Sequence, residues 1–356
     1  MDDAIVRASA QPDASRPGDP GGAARRLSIV VLTHNRAHLL GGCLDSLARQ
    51  ADPDAPLEIV VVDDGSSDAT PTVVREWQGR DARIRYCRRP HGGIAAARNT
   101  GIVNATGDVV AIVADDYLLA PDYARTVVSF FRANPVAMIV RFRLVAADDR
   151  FLSRVSHAYQ EASTSRRLAD GGRFGGHRAL WRHRPAPTST TTEHGLEAAG
   201  AAAFRREVFS RVGLFDESFE RAEDSDLTAR LRAAGIPVHY CPNHAIRHRY
   251  DTDLRTVLRT AHLSGRYRWR YYAKHEAPAL TGAALVRLRF ATKLSALYWA
   301  CWRSAQAGSL GKFLSYLPVM VLIEGANKAG FLAEARAARR RTRAARSPAR
   351  GPIAPD

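Results

Sequence analysis

From Leu27 onward, apolar positions fall into short β-branched runs that alternate with segments of helical spacing. Leu27-Ser28-Ile29-Val30-Val31-Leu32 is the first run. Leu39, Leu40, Cys43, Leu44 and Leu47 then recur every three or four residues, and Leu57-Glu58-Ile59-Val60-Val61-Val62 forms the second run. Arg83-Ile84-Arg85-Tyr86 is a weaker third and Val109-Val110-Ala111-Ile112-Val113 a strong fourth. Near-continuous apolar strands separated by helices predict a parallel sheet covered on both faces. In such an α/β sandwich, ligands bind beyond the carboxyl ends of the strands. Residues 1–26, rich in Ala, Pro, Gly, Asp and Arg, read as a disordered tail. The polar stretch from Phe151 to Glu193, with Gly171-Gly172, Gly175-Gly176 and Thr188–Thr192, reads as a flap or a disordered excursion. Regular patterning resumes at Gly200 and runs to about Tyr250. A helical region to about Ala335 and an arginine-rich tail over 336–356, read as disordered, complete the chain.

The strand ends carry the chemistry. The first run leads into Thr33-His34-Asn35-Arg36, the second into Asp63-Asp64-Gly65-Ser66-Ser67-Asp68, and the fourth into Ala114-Asp115-Asp116. Adjacent carboxylates repel one another and lose hydration, so two such pairs on one sheet edge call for a reason. A divalent cation bridging a diphosphate supplies one, because Mg²⁺ typically takes one or two carboxylates plus substrate phosphates. Ribose hydroxyls or a base N–H could also donate to these oxygens, and a turn with a helix N-cap would account for Asp63, Asp64 and Asp68 without any ligand. A second acidic group lies in Glu223-Asp224-Ser225-Asp226-Leu227. Leu227 and Leu231 are one helical turn apart, which puts Glu223, Asp224 and Asp226 in a first turn. Carboxylates there complement the helix dipole, or can take a proton from a hydroxyl.

Taken together, Val30-Val31-Leu32-Thr33-His34-Asn35-Arg36, Val61-Val62-Asp63-Asp64-Gly65-Ser66-Ser67-Asp68, Ala97-Arg98-Asn99-Thr100-Gly101 and Glu223-Asp224-Ser225-Asp226-Leu227 resemble the family 2 glycosyltransferases. These are inverting enzymes with the GT-A nucleotide-diphospho-sugar fold, and the resemblance spans about residues 27–250. It implies a three-layer α/β/α sandwich with a mostly parallel central sheet, plus a C-terminal helical region over 251–335. Residues 27–130 would form the nucleotide-sugar half and 131–250 the acceptor half. Thr33, Asn35 and Arg36 would border the nucleotide, Asp63 or Asp64 would contact base or ribose, and Arg98 would lie near the base or diphosphate. Val113-Ala114-Asp115-Asp116 falls where the family carries its Asp-x-Asp motif, with Ala114 at the first position. The resemblance makes Asp116 a ligand to Mg²⁺ or Mn²⁺, with His248 facing the diphosphate or metal, and sets Asp115 at the ribose or donor sugar. Asp224 becomes the base that activates an acceptor hydroxyl, and Glu223 positions the site. The implied reaction moves a sugar from a nucleotide-diphosphate donor to a lipid-linked glycan or polysaccharide of the cell envelope. Two alternatives stand beside it. A sugar-nucleotide pyrophosphorylase would need a glycine-rich basic loop where Thr33–Arg36 stands, and Ala114 favours a non-catalytic sugar-nucleotide-binding or membrane-surface protein.

Composition narrows the partners. An apolar fraction of 46% with 25% charged residues excludes wholesale disorder across the 356 residues. The net charge of +16 is unevenly placed: residues 1–246 hold 31 Lys+Arg against 30 Asp+Glu, and residues 247–356 hold 21 against 6. A body that gripped nucleic acid would need a basic face, and none is implied. Between Arg247 and Arg303, 12 Lys+Arg against 3 Asp+Glu are interleaved with Tyr250, Tyr267, Trp269, Tyr271, Tyr272, Phe290, Tyr298, Trp299 and Trp302. Phe313–Ile323 adds an apolar run too short to span a bilayer. These features predict a cytoplasmic protein held peripherally on the anionic inner face of the membrane. A helical cap with a solvated basic face is the alternative. The six-residue apolar run after Arg25-Arg26 is too short for an export leader. Four cysteines without a CxxC pair fit a reducing compartment.

Overall fold

The computed structural model describes residues 26–51, 53–170, 191–193, 196, 199–250, 253–275 and 310–346. The chain divides into two compact units, Met1–Thr252 and Asp253–Asp356.

The first unit is built on a nine-stranded mixed sheet. Its elements are β1 (Leu27–Thr33), α1 (Ala37–Ala48), β2 (Leu57–Asp63), α2 (Thr70–Gln78), β3 (Ile84–Arg88), α3 (Ile94–Asn104), β4 (Val109–Ala114) and β5 (Tyr117–Leu118). There follow α4 (Tyr123–Ala133), β6 (Ile139–Ala146), α5 (Phe151–Asp170), β7 (Thr191–Glu193), β8 (Ala201–Arg205), α6 (Glu207–Val212), α7 (Glu223–Ala233) and β9 (Val238–His248). The spatial order is β3-β2-β1-β4-β8-β6-β9-β5, with β7 also on β9. β1, β2, β3 and β4 are parallel neighbours, as are β6 and β9, whereas β5, β7 and β8 run the other way.

Every residue of β1 is buried because the sheet is covered twice. The pleat sends Leu27, Ile29 and Val31 to one core, with Leu40, Cys43, Leu44 and Leu47 of α1, Val74 of α2 and Val127, Val128 and Phe131 of α4. Val30 and Leu32 face the other core, with Ala95, Ala97 and Ile102 of α3, Phe209 and Phe215, and Leu227 and Leu231 of α7. This is the three-layer sandwich that the alternation predicts. Small residues bring α3 down onto the sheet, and a Cβ on Gly101 would run into Cγ1 of Val30.

The first part of the polar stretch after Phe151 is helical, which differs from the expected flap. Leu152, Val155 and Ala158 supply α5 with an apolar face, and Val155 is fully buried. Residues 171–190 lie outside the described residues.

In the second unit, α8 (Leu254–His275) packs on α9 (Leu310–Arg346). The helix α9 continues past the expected boundary at 335. Ala335, Ala337 and Ala338 are strong helix formers, and Arg341 reaches back to Glu334 at 3.0 Å. Tyr298, Trp299 and Trp302 of the basic-aromatic segment lie outside the described residues. No described helix is long and apolar enough to cross a membrane.

Candidate active site

The parallel register aligns the ends of three strands. Thr33 pairs with Asp63 and Leu32 with Ala114. The ladder then continues one step into the loops, since the Asp64 amide donates to the Thr33 carbonyl at 3.0 Å and that of Asp115 to Leu32 at 3.2 Å. One edge therefore gathers Thr33, Asp64 and Asp115, all buried.

The two carboxylates after β2 do different things. Asp63 is fully buried, and its oxygens accept from the Ser66 amide (2.8 Å) and the Tyr86 hydroxyl (2.5 Å), so it organises the turn. Asp64 reaches outward, accepting from the amides of Gly92 (3.1 Å) and Gly93 (2.8 Å) and pairing with Arg89. The His34 and His91 rings stack beside it with centroids 4.2 Å apart. Both Nδ1 atoms lie against the Asp64 carbonyl, at 2.8 and 3.1 Å. His34, Asp64 and His91 each bring a ligand atom within 4.8 Å of the others, but the Asp64 carboxylate is already taken up by His91, Arg89 and the loop amides. Asn35 holds a left-handed backbone, φ 52°, and its side-chain oxygen accepts from the Ser67 amide at 2.8 Å. Such strain in a non-glycine residue persists only where neighbours enforce it.

Asp115 and Asp116 form the turn between β4 and β5. The Arg36 guanidinium spans both, donating to Asp115 Oδ1 at 3.2 Å and Asp116 Oδ2 at 2.7 Å. Burial pushes the Asp115 carboxyl up to about 6 against the pull of Arg36, and neighbouring Asp116 adds to the rise. Asp116 is held below the usual range: burial opposes ionisation, but His248 and Arg36 outweigh it. His248 Nε2 stands 3.4 Å from Asp116 Oδ2. This contact exists because β5 pairs with β9, setting Tyr117 opposite His248. The other oxygen of Asp116, Oδ1, is buried and accepts no hydrogen bond.

The Glu223-Asp224 pair opens α7, directly after Ala222 in the left-handed region at φ 67°. Glu223 is buried against Arg98 of α3, whose guanidinium also lies 5.0 Å over the Phe215 ring. Burial raises the Glu223 carboxyl above its ordinary value, with Arg98 opposing and Asp224 reinforcing the shift. Asn99 fastens the preceding loop. It donates to the Phe215 carbonyl (2.9 Å) and Glu217 Oε1 (2.8 Å) and accepts from the Phe215 amide (2.9 Å).

Tyr117, directly after Asp116, is buried. Its hydroxyl is raised well above normal first by burial, then by Asp116 and Tyr250, with Asp224 adding and Arg98 opposing. Its ring meets His248 edge-on at 4.9 Å. A Cβ on Gly200 would sit 3.4 Å from its hydroxyl. Tyr250 packs on His248 at 4.0 Å and donates to Gln160 of α5 at 2.8 Å. Arg249 donates its amide to the Asp116 carbonyl (2.9 Å) and lays its guanidinium on Gly42 of α1. Ala201–Arg205, mostly alanine, forms β8, buried between β4 and β6.

Sequence reasoning did not single out Tyr117, Arg249 or His91, and it grouped Tyr250 with the membrane-facing aromatics, whereas Tyr250 is buried against His248. The available signals were an aromatic directly after Asp115-Asp116 and another two residues beyond His248.

Several known proteins resemble this chain. Validoxylamine A glucosyltransferase of Streptomyces hygroscopicus subsp. jinggangensis is 34% identical over 230 residues, 60% of this chain and 52% of that one. Pre-mycofactocin glycosyltransferase of Mycobacterium tuberculosis is 28% identical over 254 residues, 70% of this chain and 49% of that one. The chain spans about half the length of these curated relatives. Among solved structures, the mannosyltransferase PcManGT from Pyrobaculum calidifontis, in complex with GDP-Man and Mn²⁺, superposes with a TM-score of 0.55 at 22% identity. That match covers 89% of this chain and 91% of the other, and the shared fold is the GT-A sandwich. The family profile described as Glycosyl transferase family 2 matches residues 28–213, more than half of the sequence, and the chain belongs to that family.

Proposed function

We propose that this protein is an inverting, divalent-cation-dependent glycosyltransferase. It would move a sugar from a nucleotide-diphosphate donor to a hydroxyl of a lipid-linked glycan or polysaccharide of the cell envelope. The observation that carries the reading is the buried strand-end cluster in which Arg36 bridges Asp115 and Asp116, His248 stands 3.4 Å from Asp116, and Asp116 Oδ1 is left without a partner.

Asp116 and His248 would hold the cation. The buried, unpartnered Oδ1 of Asp116 suits a hard divalent ion, and the imidazole beside it suits Mn²⁺ at least as well as Mg²⁺. Once bound, the ion would neutralise charge growing on the leaving diphosphate. Thr33, Asn35 and Asp64 border the nucleotide, while Asp63 shapes their turn. Arg36 orients Asp115 toward the ribose or donor sugar, and Arg98 lies at the junction of the donor and acceptor sides. Asp224 accepts the acceptor hydroxyl proton as that oxygen attacks the anomeric carbon. The bond from carbon to the phosphate oxygen breaks on the opposite face, and configuration inverts. Glu223, clamped by Arg98, fixes the start of α7 and with it Asp224.

The basic C-terminal third, at 21 Lys+Arg against 6 Asp+Glu, would hold the enzyme peripherally on an anionic inner leaflet near a lipid-linked acceptor.

The test is turnover of a panel of UDP-, dTDP- and GDP-sugars with Mn²⁺. Asp224→Asn should lower donor turnover by roughly 10²-fold or more while nucleotide still raises the melting temperature. Wild-type turnover in that variant overturns the assignment of the base, and an NMR assignment of a retained anomer overturns inversion.

A further inference from the structure

We infer that α9 lies in the plane of an anionic bilayer, with its outward face seated in the headgroup layer. This rests on the peripheral attachment proposed above and names the surface that makes the contact. A helix on an ordinary protein surface turns charge to water and apolar side chains to its neighbour. The central part of α9 buries Tyr316, Met320, Ile323 and Phe331 in that way, but it also turns an apolar strip to solvent.

Its polar groups point inward. Glu324, Asn327 and Glu334 are buried, with Asn327 donating to the Ala261 carbonyl at 3.2 Å. Glu334 accepts from Arg266 and Arg270 of α8 at 2.9 and 3.1 Å. The helices can enclose these groups because their backbones touch: a Cβ on Gly265 would run into the Asn327 carbonyl, and one on Gly330 into that of His262.

Its outward positions hold no charge from Leu314 to Ala333. Leu314, Val321 and Leu322 are 57%, 50% and 50% exposed, accompanied by Ser315 and Pro318. Beyond them the exposed positions are Gly325, Ala329 and Ala333, and a Cβ on Gly325 would meet nothing within 4 Å. At 1.5 Å per residue the uncharged strip is about 28 Å long. It ends abruptly in exposed Arg336, Arg339 and Arg340, while Arg341 beside them pairs with Glu334.

An apolar strip that stops at a cluster of arginines matches the chemistry of an anionic lipid surface. Side chains of the strip settle among the upper acyl carbons, and the guanidiniums meet phosphates. The helix is not apolar enough to span. A protein partner would match the strip but leave the arginine end without a counter-charge.

The experiment uses the full chain and vesicles of phosphatidylcholine with phosphatidylglycerol, or of phosphatidylcholine alone, in co-sedimentation at low and high salt. The wild type should bind the anionic vesicles. L314Q/V321Q/L322Q should bind them at least tenfold more weakly, with its helical circular dichroism and donor turnover unchanged. R336Q/R339Q/R340Q should lose most of the salt dependence. V321C carrying an environment-sensitive fluorophore should shift to the blue on anionic vesicles.

Wild-type binding by the triple Gln variant, or a V321C probe that does not shift while the protein binds, overturns the assignment of α9 and leaves peripheral attachment standing. A wild-type chain that binds no anionic vesicle overturns both. A triple variant that only shifts a monomer–dimer equilibrium in analytical ultracentrifugation assigns the strip to a second copy of the chain and also overturns the proposal.

Discussion

Replacing Arg98 by methionine preserves most of its volume between α3 and α7 but removes the guanidinium that pairs with Glu223. Arg98 and Glu223 side chains are only 6% and 7% exposed, so neither can turn to water when its partner is lost. Breaking a pair of this kind typically costs about 3–5 kcal/mol. Glu223 can limit the loss by taking a proton, since burial already raises its carboxyl and Asp224 pushes the same way. The lower end, about 3 kcal/mol, is therefore expected at pH 7.5. For a unit of this size that corresponds to a melting temperature lower by roughly 6–12 °C. The pH dependence has a definite sign. In R98M the folded-state carboxyl of Glu223 lies further above its unfolded value, so the charged form destabilises at high pH. The deficit should shrink as pH falls from 7.5 toward 5. Denaturant unfolding of R98M, E223Q and R98M/E223Q at both pH values closes a double-mutant cycle. The double variant should be more stable than R98M, with a coupling above about 1 kcal/mol. A coupling near zero, or an R98M deficit that grows on acidification, would refute the reasoning.

Four other outcomes follow from particular contacts. Gly101→Ala should cost about 1–3 kcal/mol in chemical denaturation, because the added methyl meets Val30, and V30A in the same chain should recover part of it. Ala222→Gly should be neutral or stabilising by up to about 1 kcal/mol, since glycine adopts φ 67° freely, whereas Ala222→Val should destabilise. For Glu334, burial acts to raise the carboxyl, but hydrogen bonds from Arg266, Arg341 and Arg270 outweigh it and hold the group at about 2. Its stabilising effect is full above the unfolded value of about 4.3 and is lost as pH falls toward 2. Circular dichroism of the wild type should show that acid loss, and E334Q should begin lower and titrate less. His248→Ala should weaken Mn²⁺-dependent donor binding at least tenfold in calorimetry while leaving the metal-free melting temperature within about 2 °C.

The layers of the fold were legible because β1, β2 and β4 are apolar on both faces, a pattern that only a doubly covered sheet requires. The acidic pairs stood out because adjacent carboxylates at strand ends are costly without a counter-charge. What escaped the sequence depends on distant pairing. Tyr117 becomes important only when β5 meets β9, which sets it opposite His248. His34 and His91 stack only because the loops after β1 and β3 converge on Asp64. The spacing of Glu223 and Leu227 predicts a helix start, but nothing local reveals that Arg98, 125 positions earlier, closes over Glu223. The α5 helix was hidden by a diluted apolar face, and the far end of α9 by the arginines among its alanines.

The three hydrogen bonds of Asn99 act as a rivet between α3 and the segment that precedes α7. Because two of the three are made to the backbone of Phe215, the connection from β8 could lengthen or shorten without moving the acidic helix start. Variation in that connection can therefore accumulate over evolutionary time while the reacting centre keeps its alignment.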